Sequence, residues 1–101
     1  MKLKKYDNVY IRFFSPDYQQ DIRAIVYVRK NEMIIELEDE GVFYNIVGRV
    51  DGNVYRGSNE RAGSTEIVNA KWVQLDLNYL GIWEQGGYEY FIMFELSGNS
   101  K

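Results

Sequence analysis

Apolar residues alternate along this chain in short runs, and turn-forming pairs interrupt the runs roughly every ten positions. No window repeats its apolar residues at the helical period of about 3.6. An alternating run puts its apolar side chains on one face of a strand. Several such runs joined by tight turns have few options besides an antiparallel meander. The punctuation is Lys30-Asn31, Glu40-Gly41, Asp51-Gly52 and Gly86-Gly87. The reading is therefore all-β.

The last hairpin is the most aromatic stretch. A two-residue turn at Gly86-Gly87 suits a pair of positive-φ positions. It sets Gln85 opposite Tyr88, Trp83 opposite Tyr90, Gly81 opposite Ile92, Tyr79 opposite Phe94 and Leu77 opposite Leu96. That face reads as core, with Gly81 leaving room for Ile92. The other face carries Leu80 beside Met93 and Ile82 beside Phe91. A half-buried antiparallel strand should keep one face polar. This hairpin is apolar on both.

Upstream, a first strand at about 8–14 ends at Ser15-Pro16-Asp17, because proline cannot donate to the ladder. A second strand is expected at 21–29, a third at 32–38 and a fourth at 42–50. Turns at 30–31 and 40–41 bring Val26 to Ile35 and Ile35 to Ile46 on one inner face, and Tyr27, Ile34 and Val47 together outside. A turn centred on Asp51-Gly52 would set Gly48 opposite Tyr55 and Ile46 opposite Gly57. The apolar phase changes near Lys71, from Val68, Ala70 and Trp72 to Val73, Leu75 and Leu77, which predicts a bulge or a corner. Residues 66–84 are then one bent strand or two. The expected architecture is a single antiparallel meander of seven to eight strands, forming a small barrel or a strongly curved sheet. Residues 1–101 read as one domain.

Two absences narrow the chemistry. The chain has no cysteine and no histidine. Thiol catalysis, a cysteine zinc site and the usual serine–histidine triad are excluded. No cofactor or metal motif is present: the acids at 36–40 lack calcium-loop spacing, and the glycines lack a strand-to-helix phosphate context. No apolar run approaches the roughly 20 residues of a membrane helix, and MKLKKYDNVY has no apolar signal core. The expectation is a non-enzymatic, cytoplasmic protein that does not act at a membrane. Residues 1–30 hold seven Lys/Arg against three Asp/Glu, and residues 31–101 hold five against twelve, giving −3 overall. This acidic balance argues against general nucleic-acid binding.

DGNVYRGSNE (51–60) and YLGIWEQGGYEY (79–90) resemble stretches of the avidin-type and wider calycin barrels. Those are up-and-down meanders in which an Asp-Gly turn is followed by an aromatic residue and a spaced glycine. The likeness covers about a fifth of the chain and transfers no ligand residues. It implies a non-enzymatic barrel that binds a ligand or a partner.

Three surfaces are candidates for binding, and the expected function is the first, a protein-binding module (self-association, inhibitor or adaptor), with the second and third as alternatives in that order. The first is the outer apolar face of the last hairpin, Leu80, Ile82, Phe91 and Met93, as an interface for a protein partner or a second copy of the chain. The second is an aromatic barrel mouth made by Tyr55, Trp83, Tyr88 and Tyr90, which could take a small molecule. The third is a basic-aromatic sheet face, Tyr10, Arg12, Phe14, Arg23, Tyr27 and Arg29, of the kind that stacks on single-stranded nucleic acid. Carboxylates opposite two of its arginines, Glu32 for Arg29 and Glu38 for Arg23, favour ordinary cross-strand ion pairs instead.

Overall fold

The computed structural model describes residues 2–96 and forms a closed eight-stranded barrel. The strands are β1 (Lys4–Ser15), β2 (Tyr18–Arg29), β3 (Glu32–Asp39), β4 (Val42–Asp51), β5 (Val54–Asn59), β6 (Val68–Leu75), β7 (Asn78–Gln85) and β8 (Tyr88–Glu95). Each pairs antiparallel with the next. β1 closes on β8 through Arg12–Met93, Phe13–Ile92 and Phe14–Phe91. The even count permits this antiparallel closure, since first and last strands of such a meander run in opposite directions. No described residue is helical, so no helix is long and apolar enough to cross a membrane.

The meander places its connections alternately at two ends. The turns at 16–17, 40–41 and 86–87 and the loop at 60–67 lie at one end; the turns at 30–31, 52–53 and 76–77 lie at the other. Gly86 and Gly87 both have positive φ, as the hairpin requires, and the β7–β8 register is the expected one from Gln85–Tyr88 through Asn78–Glu95. The β2–β3 and β3–β4 registers also match, including the outer row Tyr27–Ile34–Val47.

Four expectations are corrected. The β4–β5 turn is Gly52-Asn53, with Asp51 opposite Val54. Gly52 takes the first turn position at φ 69°, which moves the register by two residues and keeps the faces. Gly48 therefore faces Gly57, and Ile46 faces Asn59. Second, there is no bulge at Lys71. β6 and β7 pair regularly from Val68–Gln85 to Leu75–Asn78 around a turn at Asp76-Leu77, where Asp76 has φ 56°. The phase change arises because Val73 and Leu75 lie on the outside. Third, Leu77 belongs to that turn and is 63 % exposed, so it is not a core partner of Leu96. Fourth, Arg23 does not meet Glu38. β1 begins at Lys4 and has an irregularity between Tyr6 and Val9. Arg23 spans it, donating to the Asp7 carbonyl (2.8 Å) and the Asn8 side chain (3.2 Å).

The interior is filled in one half. Trp72, fully buried, lies against Gly48 and Gly57, where a Cβ would approach its ring to 2.6 and 3.0 Å. It stacks on Tyr55 (centroids 5.6 Å, 10°), and Tyr79 stacks on Phe94 (5.1 Å, 12°). Missing side chains on two adjacent strands thus make room for one large ring, a packing arrangement that close-packed cores favour.

Candidate functional site

The other half of the barrel is not filled. At the end that carries the 60–67 loop, a solvent-open cup of about 380 Å³ enters the barrel. Its floor is apolar: Phe13, Leu37 and Trp83 are buried there, and Ile22 adds a wall. The strand period explains this, because each of these residues is on the inward-facing set of its strand, with a further inward position (Ser15, Gln20, Asp39 or Gln85) between it and that end. Phe13 meets Trp83 edge-on at 4.9 Å, and Tyr44 meets it edge-on at 5.9 Å. The indole is therefore held from two sides.

A polar relay fixes the same ring. The Trp83 indole N–H donates to the Gln85 side-chain oxygen (2.9 Å), and the Gln85 amide donates to the Tyr44 hydroxyl (2.9 Å) and to a Glu66 carboxylate oxygen (3.1 Å). Glu66 comes from the β5–β6 loop, which Asn59 organises. The Asn59 oxygen accepts from the backbone N–H of Asn45 and Arg61, and its amide donates to the Ser64 hydroxyl and the Glu66 carbonyl. One residue at the end of β5 thus shapes the loop that delivers a carboxylate to the cup.

The rim is aromatic and acidic. Tyr18 and Tyr90 approach at 5.3 Å, and Tyr88 stands at the edge, 69 % exposed. Asp39, the last residue of β3, lines the cup. The Tyr18 phenol is pushed above its ordinary value of 10.0, by burial first and then by the proximity of Tyr90, Asp39 and Glu40. Tyr18 also donates a hydrogen bond to the Gln20 side chain.

The expected aromatic mouth is brought together in three of its four members. Trp83, Tyr88 and Tyr90 line the cup. Tyr55 does not: it packs on Trp72 and Tyr79 in the filled half. Tyr88 reaches the rim rather than the interior. Sequence reasoning missed Tyr18, Asp39 and Glu66. For Asp39 a signal existed, since it continues the inward series Met33, Ile35, Leu37. Glu66 lies in an irregular loop, where no period applies.

The outer apolar face is continuous across five strands. Val54 pairs with Val73, Val73 with Leu80, and Leu80 with Met93; the next row runs from Ile82 through Phe91 to Phe14. Phe14 and Phe91 are in ring contact at 5.5 Å. Phe91 is 50 % exposed, while Leu80, Ile82 and Met93 are half-buried by their neighbours. The expected four residues are thus together, enlarged by Phe14, Val54 and Val73.

The basic-aromatic surface is largely committed elsewhere. Arg12 pairs with Asp21 (3.1 Å), Arg29 with Glu32 (2.6 Å), and Arg23 caps the β1 irregularity. Phe14 belongs to the apolar face, Tyr27 lies beneath Lys5 (6.0 Å), and Tyr10 stands exposed. Among the described residues no cluster of three or more acidic, histidine or cysteine side chains is arranged to hold a metal ion. No protein-family model, curated protein or solved structure matches this chain.

Proposed function

We propose that the protein is a non-enzymatic binding module that takes a small molecule into the cup at one end of its barrel. The observation that carries this reading is the half-filled interior. Trp72 and three stacked or edge-packed rings close one half, whereas the other opens as a cup of about 380 Å³. That volume lies within the roughly 300–1,000 Å³ of small-molecule sites, and an apolar floor with a few fixed polar groups is their usual chemistry. The Trp83–Gln85–Tyr44 relay holds the floor ready, so binding would not have to order it. The resemblance to avidin-type barrels supports the same reading, and a cytoplasmic setting fits a chain without cysteine.

The test compares the wild type with Ile22→Trp, which would place a bulky ring into the cup from a half-exposed wall. Purified from its native cells without denaturation and then unfolded for mass analysis, the wild type should release a small molecule that the folded variant lacks. The same released compounds from both proteins would contradict the reading.

A second reading rests on a separate observation. The outer face of β5–β8 and β1 carries contiguous apolar side chains, and Phe91 among them is 50 % exposed. Such a face supports association with a protein partner or a second copy of the chain. Full burial of a large apolar side chain contributes about 1.5–3 kcal/mol. Three of the four central residues are already half-buried, so the remaining gain is smaller. This places the interface second to the cup.

A further inference from the structure

The charge inventory of the cup is one-sided. Gln85 has both amide protons and its oxygen engaged within the protein, and the Trp83 N–H is engaged with it. The remaining polar capacity is the carboxylate of Asp39, the second oxygen of Glu66, and the hydroxyls of Tyr44, Tyr88 and Tyr90, which can donate as well as accept, so the only charges are negative. The Asp39 carboxylate makes no hydrogen bond or ion pair among the described residues, and Glu66 meets no Lys or Arg there. No basic side chain is among the described residues that line the cup.

The surroundings have the same sign. The connections at this end carry Asp17, Glu40, Glu60 and Glu66 against a single base, Arg61, with Glu60 paired to Arg49 of β4 (3.1 Å). Arg61 is turned to the Phe43 ring (5.0 Å) and lines a separate groove on the outside of the barrel. Half-buried carboxylates beside aromatic faces attract a cation twice over, through direct charge and through the ring quadrupole. An anion would meet two uncompensated carboxylates. A neutral ligand could donate a hydrogen bond but would leave the charge of both carboxylates uncompensated.

We propose that the cup is a receptor for a small organic cation, an ammonium or guanidinium on a compact apolar or aromatic body, with Asp39 and Glu66 as its counter-charges, the rings of Tyr18 and Tyr90 as its walls and the Trp83 ring in its floor. This rests on the cup being a ligand site, and adds the class of ligand. Asp39 and Glu66 stand at the cup's edge and apolar Phe13 and Leu37 at its base. The charged head therefore sits near the mouth and the body points inward.

The test is a charge series on one scaffold: 2-phenylethylamine, its trimethylammonium analogue, 2-phenylethanol and phenylacetate. Affinity is read by calorimetry and location by the Trp83 indole N–H resonance. The two cations should bind at least about tenfold more tightly than the alcohol, a difference of about 1.4 kcal/mol, and phenylacetate more weakly still. Asp39→Asn, which removes no hydrogen bond or ion pair of the protein, should lower cation affinity several-fold and leave the alcohol unchanged. Glu66→Gln, which keeps an acceptor for Gln85, should do the same. Equal binding of alcohol and amine, or preference for phenylacetate, with the Trp83 signal moving, would overturn the cation assignment while leaving the cup a ligand site. If no member of the series moves the Trp83 signal, both readings are overturned.

Discussion

Gly48 and Gly57 face each other directly across β4 and β5, and the space where their side chains would stand is occupied by the ring of Trp72. A Cβ at position 48 would lie 2.6 Å from that ring, and the ring is enclosed and stacked on Tyr55. Gly48→Ala should therefore destabilise the fold by about 1–3 kcal/mol, the usual scale of core overpacking. Gly57→Ala, with nearest approaches of 3.0–3.1 Å, should cost less. Trp72→Phe in the Gly48→Ala background should recover part of the loss. Urea unfolding of the three variants measures the order, and a Gly48→Ala protein as stable as wild type would show that the ring can retreat.

Asn59 makes four hydrogen bonds, all to β4 or to its own loop. Asn59→Ala should cost about 1–3 kcal/mol through the groups left unpaired. Amide exchange should quicken at Asn45 and Arg61, whose N–H groups it accepts. A specific loss of Glu66-dependent binding should accompany it, because the loop that delivers Glu66 to the cup is no longer tied.

Tyr55 and Tyr79 have phenols raised above 10.0, chiefly by burial, and Tyr18 is raised as well. Folding favours the neutral phenol in each case. The stability they contribute is complete below pH 10, the value for the unfolded chain, and is lost as pH rises from there through the higher folded-state values. Ultraviolet titration of the nine tyrosines should show a late-ionising group that merges with alkaline unfolding. Tyr79→Phe should leave a shallower decline of stability above pH 10.

Phe91→Glu with Met93→Glu would put two charges on the outer apolar face without entering the core. If that face is an interface, the double variant should sediment as a folded monomer while the wild type associates with itself or retains a partner. A wild type that is monomeric and partnerless at high concentration contradicts this second reading.

The strands were legible because the two-residue period is strong from Val9 to Tyr44, and because Gly86-Gly87 admits one favoured hairpin register. The β4–β5 register was not. Asp51-Gly52 and Gly52-Asn53 are both good turn pairs, and both keep Tyr55 and Gly57 on the inner face, so the pattern alone does not choose. Shape chooses: only the second aligns Gly48 with Gly57 and admits Trp72. The apparent phase change near Lys71 had another cause. Val73 and Leu75 are apolar residues on an outer face, which a rule of apolar inside and polar outside assigns to the core. The cup was half legible. Trp83, Tyr88 and Tyr90 belong to the regular hairpin, whereas Glu66 reaches it through a loop held by Asn59, a long-range arrangement that no local pattern encodes.

The proposed binding site lies in the open half of the barrel and not in the filled half. The two indole N–H resonances, Trp83 in the cup floor and Trp72 in the packed half, report these halves separately. On titration with a library of small metabolites, at least one compound should shift Trp83 saturably and leave Trp72 in place, and Ile22→Trp should abolish the shift. A library that moves neither indole, or moves both together through a general loosening of the barrel, would contradict it.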